Sequence, residues 1–405
     1  MENRLFPNEL REDSLLTITK PSLVATASRG KWYDKTSNGT DVNVTYRSMH
    51  EALCDFSGIV LMYGNFYQDG RVTGLSPYTI NVSIDVAGNT FPVFFDNGSP
   101  TKTVPLKARV LSDEIQVSLK KGDRFFVRTH VVQNSGEKHP YALTVAGGSN
   151  PGEGIMNGDA TSGTFTTTNS NPLFSLSPLA IYGKPSPNAI NFKTVGLCGD
   201  SISVGTGHTI TSVDGHPAGE VGFLQIGAMR ADWGYVTIGM NGQKASDFSD
   251  PLKRTNQLQM VKDCDLVIVE YGTNDLSDSS KTFEQLKTDL LTIHSTYWSM
   301  GIKTVQTTIA PRTNSTDGWS SLQNQTPINS NTSGGESSLR SKINNWIRNN
   351  ADGIACIDVA SAWESSPNSG LWKVTPIHTT DGVHPNNYAH DNDAANMIRD
   401  YLISR

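Results

Sequence analysis

The sequence predicts an α/β protein in two parts. An antiparallel β-sandwich of jelly-roll type is expected over residues 1–175, followed over residues 176–405 by a three-layer α/β/α domain on a five-stranded parallel sheet. Three observations carry this reading. The hydrophobic period is two in the first part. In the second, short apolar runs alternate with longer segments of helical spacing. Between them, residues 147–177 form a Gly/Thr/Asn-rich connecting stretch.

The first part is punctuated like a sandwich. In "YTINVSIDVAGN", Ile80, Val82, Ile84 and Val86 alternate with Asn81, Ser83 and Asp85, as in a half-buried strand. "EIQVSLKKGDRFFVRTHVV" repeats the pattern, with Ile115, Val117 and Leu119 on one face and a Lys-Gly-Asp turn before the next run. "SGIVLMYGNFY" and "NTFPVFFDNG" are further strands between Gly, Pro and Asn breaks. Helical periodicity is almost absent, which favours an all-β architecture.

The second part supplies five strands: "TVGLC", "GYVTIGM", "DLVIVEYG", "KTVQTTIA" and "IACIDVA". Helical segments stand between them, including "EVGFLQIGAMRADW", "SDPLKRTNQLQMVKD", "TFEQLKTDLLTIHSTYWSM" and "SSLRSKINNWIRNN", and "NDAANMIRDYLIS" closes the chain. Such alternation argues for a parallel sheet covered on both faces, whose ligands bind beyond the carboxyl ends of the strands.

Composition narrows the function. A length of 405 residues suits two domains. Only 18% of residues are charged and the net charge is -6, so there is no basic stripe and nucleic acid is excluded as a partner. No run approaches the roughly 18 apolar residues of a membrane span. The opening "MENRLFPNELREDSLLTITK" lacks the apolar core of a signal peptide, so export by a standard signal is not expected of the sequence as it stands. Cys54, Cys198, Cys264 and Cys356 are far apart with no metal-type spacing. They read as free thiols, with Cys198 and Cys356 in apolar runs, and leave the redox compartment open.

The strand ends converge. Gly199-Asp200-Ser201 follows the first strand, Gly239 and Gly242 the second, and Asn274-Asp275 the third; Asp381 and His384 lie beyond the fifth. Singly, each is an ordinary turn or cap: a capping serine, a left-handed glycine, an Asx turn, a proline-led helix start. Jointly they fit one chemistry. A serine hydroxyl needs a histidine to take its proton, and the histidine needs a carboxylate to fix its tautomer. The tetrahedral oxyanion needs aimed donors, which the backbone N–H groups of Ser201 and Gly242 and the Asn274 amide could provide.

These residues resemble the SGNH (GDSL-type) hydrolase family. "GDSIS", "GMNGQKASD", "GTND" and "DGVHP" match its four blocks in order, from about residue 194 to the C-terminus. The resemblance implies Ser201 as nucleophile, Gly242 (Gly239 in the other register) and Asn274 in the oxyanion hole, Asp381 as orienter and His384 as base. Two positions depart from the family pattern: Ser203 stands where threonine is frequent, and Gln243 where aspartate often follows the glycine. The first half resembles, loosely, the β-rich segment preceding the serine block in larger members. An α/β-hydrolase elbow, Gly-x-Ser-x-Gly, does not fit, because Ser203 stands in place of the second glycine.

Other residues carry weaker expectations. His378 reads as a loop or substrate-contact residue. His208, His216 and Asp214 read as loop residues rather than metal ligands, so neither metal nor cofactor is expected. Asp200 and Asp275 are expected to hold turns. The stretch "PRTNSTDGWSSLQNQTPINSNTSGGESS" is a long polar loop at the catalytic edge. Trp319, Trp363 and Trp372 are assigned equally to sugar stacking and to the core.

The reading is therefore a serine ester hydrolase working through an acyl-enzyme, and specifically an O-acetylesterase on a carbohydrate or polysaccharide. Polar edge loops and a sandwich of a shape that often binds glycans favour this substrate, and the Asn/Ser/Thr-rich composition suits a surface-attached or virion-borne deacetylase. The alternatives are a lipase or thioesterase for longer acyl chains, and a glycan-binding module with a vestigial serine site. Oligomeric state is not predicted.

Overall fold

The computed structural model describes residues 24–27, 29, 33, 35–143, 150–167, 174–209, 213–217, 219 and 221–405. The expected absence of a signal segment falls on 1–20, outside the described residues, as does part of the 147–177 connector.

Beyond a small antiparallel sheet of Phe174–Ser175, Pro140–Leu143 and Lys35–Thr36, two larger antiparallel sheets make up the first part. One runs in the order Gly154–Asn157, Asn43–Glu51, Arg124–Val132, Tyr78–Val86, Asn89–Val93, with Thr101–Val104 also paired to Tyr78–Val86. The other runs Val24–Ala25, Ala180–Pro185, Phe56–Gly64, Arg109–Leu111, with Ile115–Leu119 also on Phe56–Gly64. The alternation read in the sequence decides what faces inward. Ile80, Val82 and Ile84 from one sheet and Phe56, Ile59, Leu61 and Tyr63 from the other lie in one buried core. A hydrogen bond from one sheet to the other, Tyr63 Oη to Thr129 Oγ1 at 2.7 Å, crosses that core.

Strand Ala180–Pro185 pairs with Phe56–Gly64, so the antiparallel layers run past residue 175, where the sequence reading divides the chain. Its run is too short and too rich in Gly, Lys and Pro to show a period. The two halves share one continuous core. Gly234 lies so close to the Ala25 carbonyl that a side chain would overlap it, and the Arg29 N–H donates to Tyr235 Oη at 3.0 Å.

The second part has the expected five-stranded parallel sheet. Its strands are, in chain order, Thr194–Gly199, Gly234–Thr237, Leu266–Glu270, Lys303–Thr307 and Ala355–Ile357, arranged in space as 2-1-3-4-5. In this order the first strand lies between the second and third, and the crevice at its carboxyl end is the topological switch point.

The helices fall into two packed groups. Phe223–Arg230 packs on Ala395–Ile403, where a Cβ on Gly227 would lie 2.5 Å from Ile398 Cβ. Phe283–Ser299 packs on Ala245–Ser249 and on Leu339–Arg348. The local sequence explains Phe283–Ser299 directly. Thr282 accepts the Gln285 N–H while Gln285 Oε1 accepts the Thr282 N–H, a capping box. Leu286, Leu290, Ile293 and Tyr297 then bury one face at helical spacing. No helix among the described residues is long and apolar enough to cross a membrane.

Candidate active site

All of the residues singled out at strand ends meet at the carboxyl edge of the parallel sheet. The chain leaves the first strand at Gly199 and turns through Asp200 and Ser201. Ser203 Oγ donates to the Asp200 carbonyl at 2.8 Å, and the Thr206 N–H to the Ser201 carbonyl at 2.9 Å. Ser201 is 8% exposed.

From the far end of the chain, His384 reaches this turn. Its Nε2 lies 2.8 Å from Ser201 Oγ, and its Nδ1 lies 2.6 Å from Asp381 Oδ2. A carboxylate only accepts, so the imidazole hydrogen belongs on Nδ1, and Nε2 is left to accept from the hydroxyl. Asp381 Oδ1 accepts the N–H groups of Val383 and His384, each at 2.8 Å. Burial alone would raise the Asp381 carboxyl, but the bonds from His384 and the two backbone donors outweigh it and hold the group well below the usual carboxylate range.

The Asp381–His384 turn is buttressed from behind. Thr379 Oγ1 accepts the Gly382 N–H at 2.9 Å and donates to the His384 carbonyl at 2.8 Å. The Gly382 carbonyl accepts the Thr313 N–H at 2.9 Å and the Trp372 Nε1–H at 3.0 Å. Gly382 has φ +78, and a side chain there would overlap the Thr313 carbonyl.

The oxyanion candidates are placed differently from one another. No described residue accepts the backbone N–H of Ser201 or of Gly242. Gly242 has φ +76 in a turn closed by the Gln243 N–H on the Met240 carbonyl at 3.1 Å, a type II turn that asks for glycine at this position. Gly239 is buried, and a side chain there would overlap Ser203 Oγ. Its packing against the serine turn accounts for that glycine. Asn274 turns its amide inward, with Nδ2 donating to Asp200 Oδ2 and to the Gln243 carbonyl, both at 3.2 Å.

Asp200 and Asp275 both hold turns: Asp200 Oδ1 accepts the Ile202 N–H at 2.9 Å and Asp275 Oδ2 the Ala245 N–H at 2.9 Å. Burial, offset in part by the Ala245 N–H and Lys281, pushes Asp275 up to about 6.

The remaining sequence expectations divide. His208 pairs with Asp391 at 2.8 Å, His216 with Glu51 at 2.6 Å, and Asp214 with Arg230 at 2.6 Å, so the three point to separate partners. No group of three or more His, Cys, Asp or Glu among the described residues could hold a metal. His378 is buried, with Nδ1 2.6 Å from the Pro376 carbonyl and its ring against Tyr388, which makes it a loop residue rather than a substrate contact.

Trp363 and Trp372 are 1% and 0% exposed and pack against each other at a tilt, so the sugar-stacking alternative fails for both because neither face is accessible. Trp319 is half-buried, with Nε1 donating to Thr313 Oγ1 at 2.9 Å. The long polar loop is structured: Thr313–Ser315 and Gln325–Pro327 form a two-stranded hairpin inside it. The cysteines are free, and burial pushes the Cys198 thiol up to about 12.

Sequence reasoning missed Glu270, Gly382 and Arg312, and noted Gln243 only as a departure from the family pattern. Arg312 Nη1 donates to the Thr273 carbonyl at 2.9 Å, beside Asn274. Glu270 had a signal, being a lone acid closing the apolar run "DLVIV" in a strand buried on both faces.

A serine–imidazole–carboxylate relay at the carboxyl edge of a covered parallel sheet has the geometry of the serine hydrolases. Residues 197–391 match the model of the GDSL-like lipase/acylhydrolase family. Among solved structures, a GDSL-like lipase from Bacteroides thetaiotaomicron is 18% identical, covering 52% of this chain and 86% of its own, with a TM-score of 0.33. The lipase/acylhydrolase from Enterococcus faecalis is 17% identical, covering 52% and 96%, with a TM-score of 0.36. A catalytic mutant of an acetylxylan esterase from Geobacillus stearothermophilus is 15% identical, covering 52% and 91%, with a TM-score of 0.33. Likeness at this level carries no information on substrate. No curated protein matches the sequence.

Proposed function

We propose that the chain is a serine esterase acting through an acyl-enzyme on O-acetylated carbohydrate. The observation that carries the reading is the relay itself, Ser201 Oγ to His384 Nε2 at 2.8 Å and His384 Nδ1 to Asp381 Oδ2 at 2.6 Å. Ser201 Oγ attacks the acyl carbon and its proton passes to His384 Nε2. The oxyanion is taken by the N–H groups of Ser201 and Gly242, with the Asn274 amide turning from one of its two internal acceptors to join them. Collapse expels the sugar hydroxyl, protonated by His384. Water, deprotonated by the same imidazole, then releases acetate. Asp381 keeps the imidazole in the required tautomer and stabilises its protonated form.

A small acyl group is favoured by the polar surroundings. After the serine turn, Thr206 hydrogen-bonds to Asn241 and Thr209 to Asn387, and the hairpin beside the Asp381 turn is built from Thr, Asn, Ser, Gln and one Pro. We place the division between the accessory and catalytic domains between Pro185 and Thr194, with a glycan-binding role for the first.

The test is hydrolysis of p-nitrophenyl acetate, butyrate and octanoate by wild type and Ser201→Ala, together with acetate release from an acetylated polysaccharide. Turnover that falls beyond butyrate and is lost in the variant supports the proposal. A preference for octanoate moves it to a lipase or thioesterase. Glycan binding without turnover, unchanged in Ser201→Ala, reduces the site to a vestige.

A further inference from the structure

Two carboxyl groups lie stacked beneath the nucleophile. Asp200 is 0% exposed and Glu270 4%. Glu270 ends one strand and Asp200 follows the end of its neighbour, because the parallel ladder sets Gly199 opposite Glu270. The missing side chain at Gly199 is what admits the acid: a Cβ there would lie 2.7 Å from Glu270 Oε2. The Asp200 N–H donates to Glu270 Oε2 at 3.4 Å, which sets the two carboxyls side by side.

No described Lys, Arg or His forms an ion pair with either group within 4.0 Å. The other titratable groups facing them are His384, Asp275 and Arg312 toward Asp200, and Cys198 and Tyr271 toward the strand ends. Two carboxylates in contact in a dry site cannot both ionise, so one proton is shared between them.

The donors decide where the proton sits. Asp200 accepts from the Ile202 N–H at 2.9 Å and from Asn274 Nδ2 at 3.2 Å, which favour its charged form. Glu270 has weaker backbone contacts, the Asp200 N–H at 3.4 Å and the Ser203 N–H, so it keeps the proton and donates it. Burial raises both groups.

We infer that Glu270 is a positioning residue of the active site, a buried carboxylic acid that donates a hydrogen bond to Asp200. Through it, the Asp200 carboxylate holds the Asn274 amide and the Ser201 turn in register. The chain of contacts runs Glu270, Asp200, Asn274, Gln243, and so ties the serine turn to the loops carrying the Asn274 and Gly242 donors. Its kinetic consequence rests on the esterase reading above; the protonation itself does not.

Infrared difference spectroscopy of the whole protein at neutral pD reads the proton directly. The inference expects a carbonyl stretch of a protonated carboxylic acid in wild type that is absent from Glu270→Gln. Absence of the band in wild type, or its persistence in Glu270→Gln, overturns it whether or not the protein is an esterase. On p-nitrophenyl acetate, Glu270→Ala is expected to lower kcat by about 100-fold with KM little changed. Glu270→Gln, which keeps a donor, is expected to restore kcat to within about threefold of wild type, the scatter allowed a conservative change. Equal losses in the two variants, both folded, would remove the positioning role.

Discussion

Gly207 lies directly against His384: a Cβ built on Gly207 would stand 3.1 Å from the His384 Cβ and would overlap the Pro385 carbonyl. The loop that follows Ser201 therefore also fixes His384, across 177 positions of sequence from 207 to 384. Gly207 has φ +97, which an L side chain rarely adopts.

Gly207→Ala is accordingly expected to displace the imidazole rather than unfold the chain. Its kcat on p-nitrophenyl acetate should fall by about 100-fold, with a stability cost of about 1–2 kcal/mol. Wild-type turnover in this variant would show that His384 is not held by the loop.

Trp372 acts on the same turn from the other side. It is fully buried, and its indole N–H is one of two donors to the Gly382 carbonyl. Trp372→Phe removes that donor and some packing, with the Thr313 N–H left in place. Urea unfolding should show a loss of about 1–3 kcal/mol, and the decrease in kcat should be smaller than for Gly207→Ala.

Much of this site was legible in the sequence because the topology does the gathering. Once "GDS", "GMNG", "GTND" and "DGVHP" are placed after strands of a parallel sheet, they must meet at one edge, and they do. The contacts that give the supporting parts their roles were not legible. Glu270 matters only through a cross-strand register opposite Gly199, and Gly382 only through the crowding of Thr313 and Trp372. Neither relation has a local period. The hairpin Thr313–Ser315 with Gln325–Pro327 reads as plain loop in the sequence because its strands are polar on both faces. Strand Ala180–Pro185 was missed because it pairs with Phe56–Gly64 and not with a sequence neighbour.

Asp275 gives a pH prediction whose sign follows from its environment. Burial raises it to about 6 in the fold, whereas an unfolded aspartate titrates near about 3.9. Between these values the folded chain binds more protons, so its contribution to stability is present at pH 4 and is lost as pH rises to about 6. Asp275→Asn keeps an acceptor for the Ala245 N–H without the buried charge. By chemical denaturation it should exceed wild type by about 3 kcal/mol at most at pH 7.5, with the difference vanishing near pH 4. A pH-independent difference would place the cause in packing instead.

Thiol chemistry separates Ser201 from its neighbour Cys198. The Cys198 thiol is 0% exposed, accepts from Tyr297 Oη at 3.3 Å and is pushed up to about 12 by burial. Iodoacetamide at pH 7.5 should leave esterase activity intact, as measured on p-nitrophenyl acetate. Inactivation by the reagent with alkylation mapped to Cys198 would contradict the burial.

The central claim is that Ser201 becomes covalently acylated. Its most direct measurement is intact-mass and peptide mapping after treatment of the native protein with a fluorophosphonate, with Ser201→Ala alongside. The account predicts one adduct, on the peptide that contains Ser201, with activity lost in proportion to labelling and no adduct on the variant. Labelling at another residue, or an equal adduct on Ser201→Ala, would contradict it.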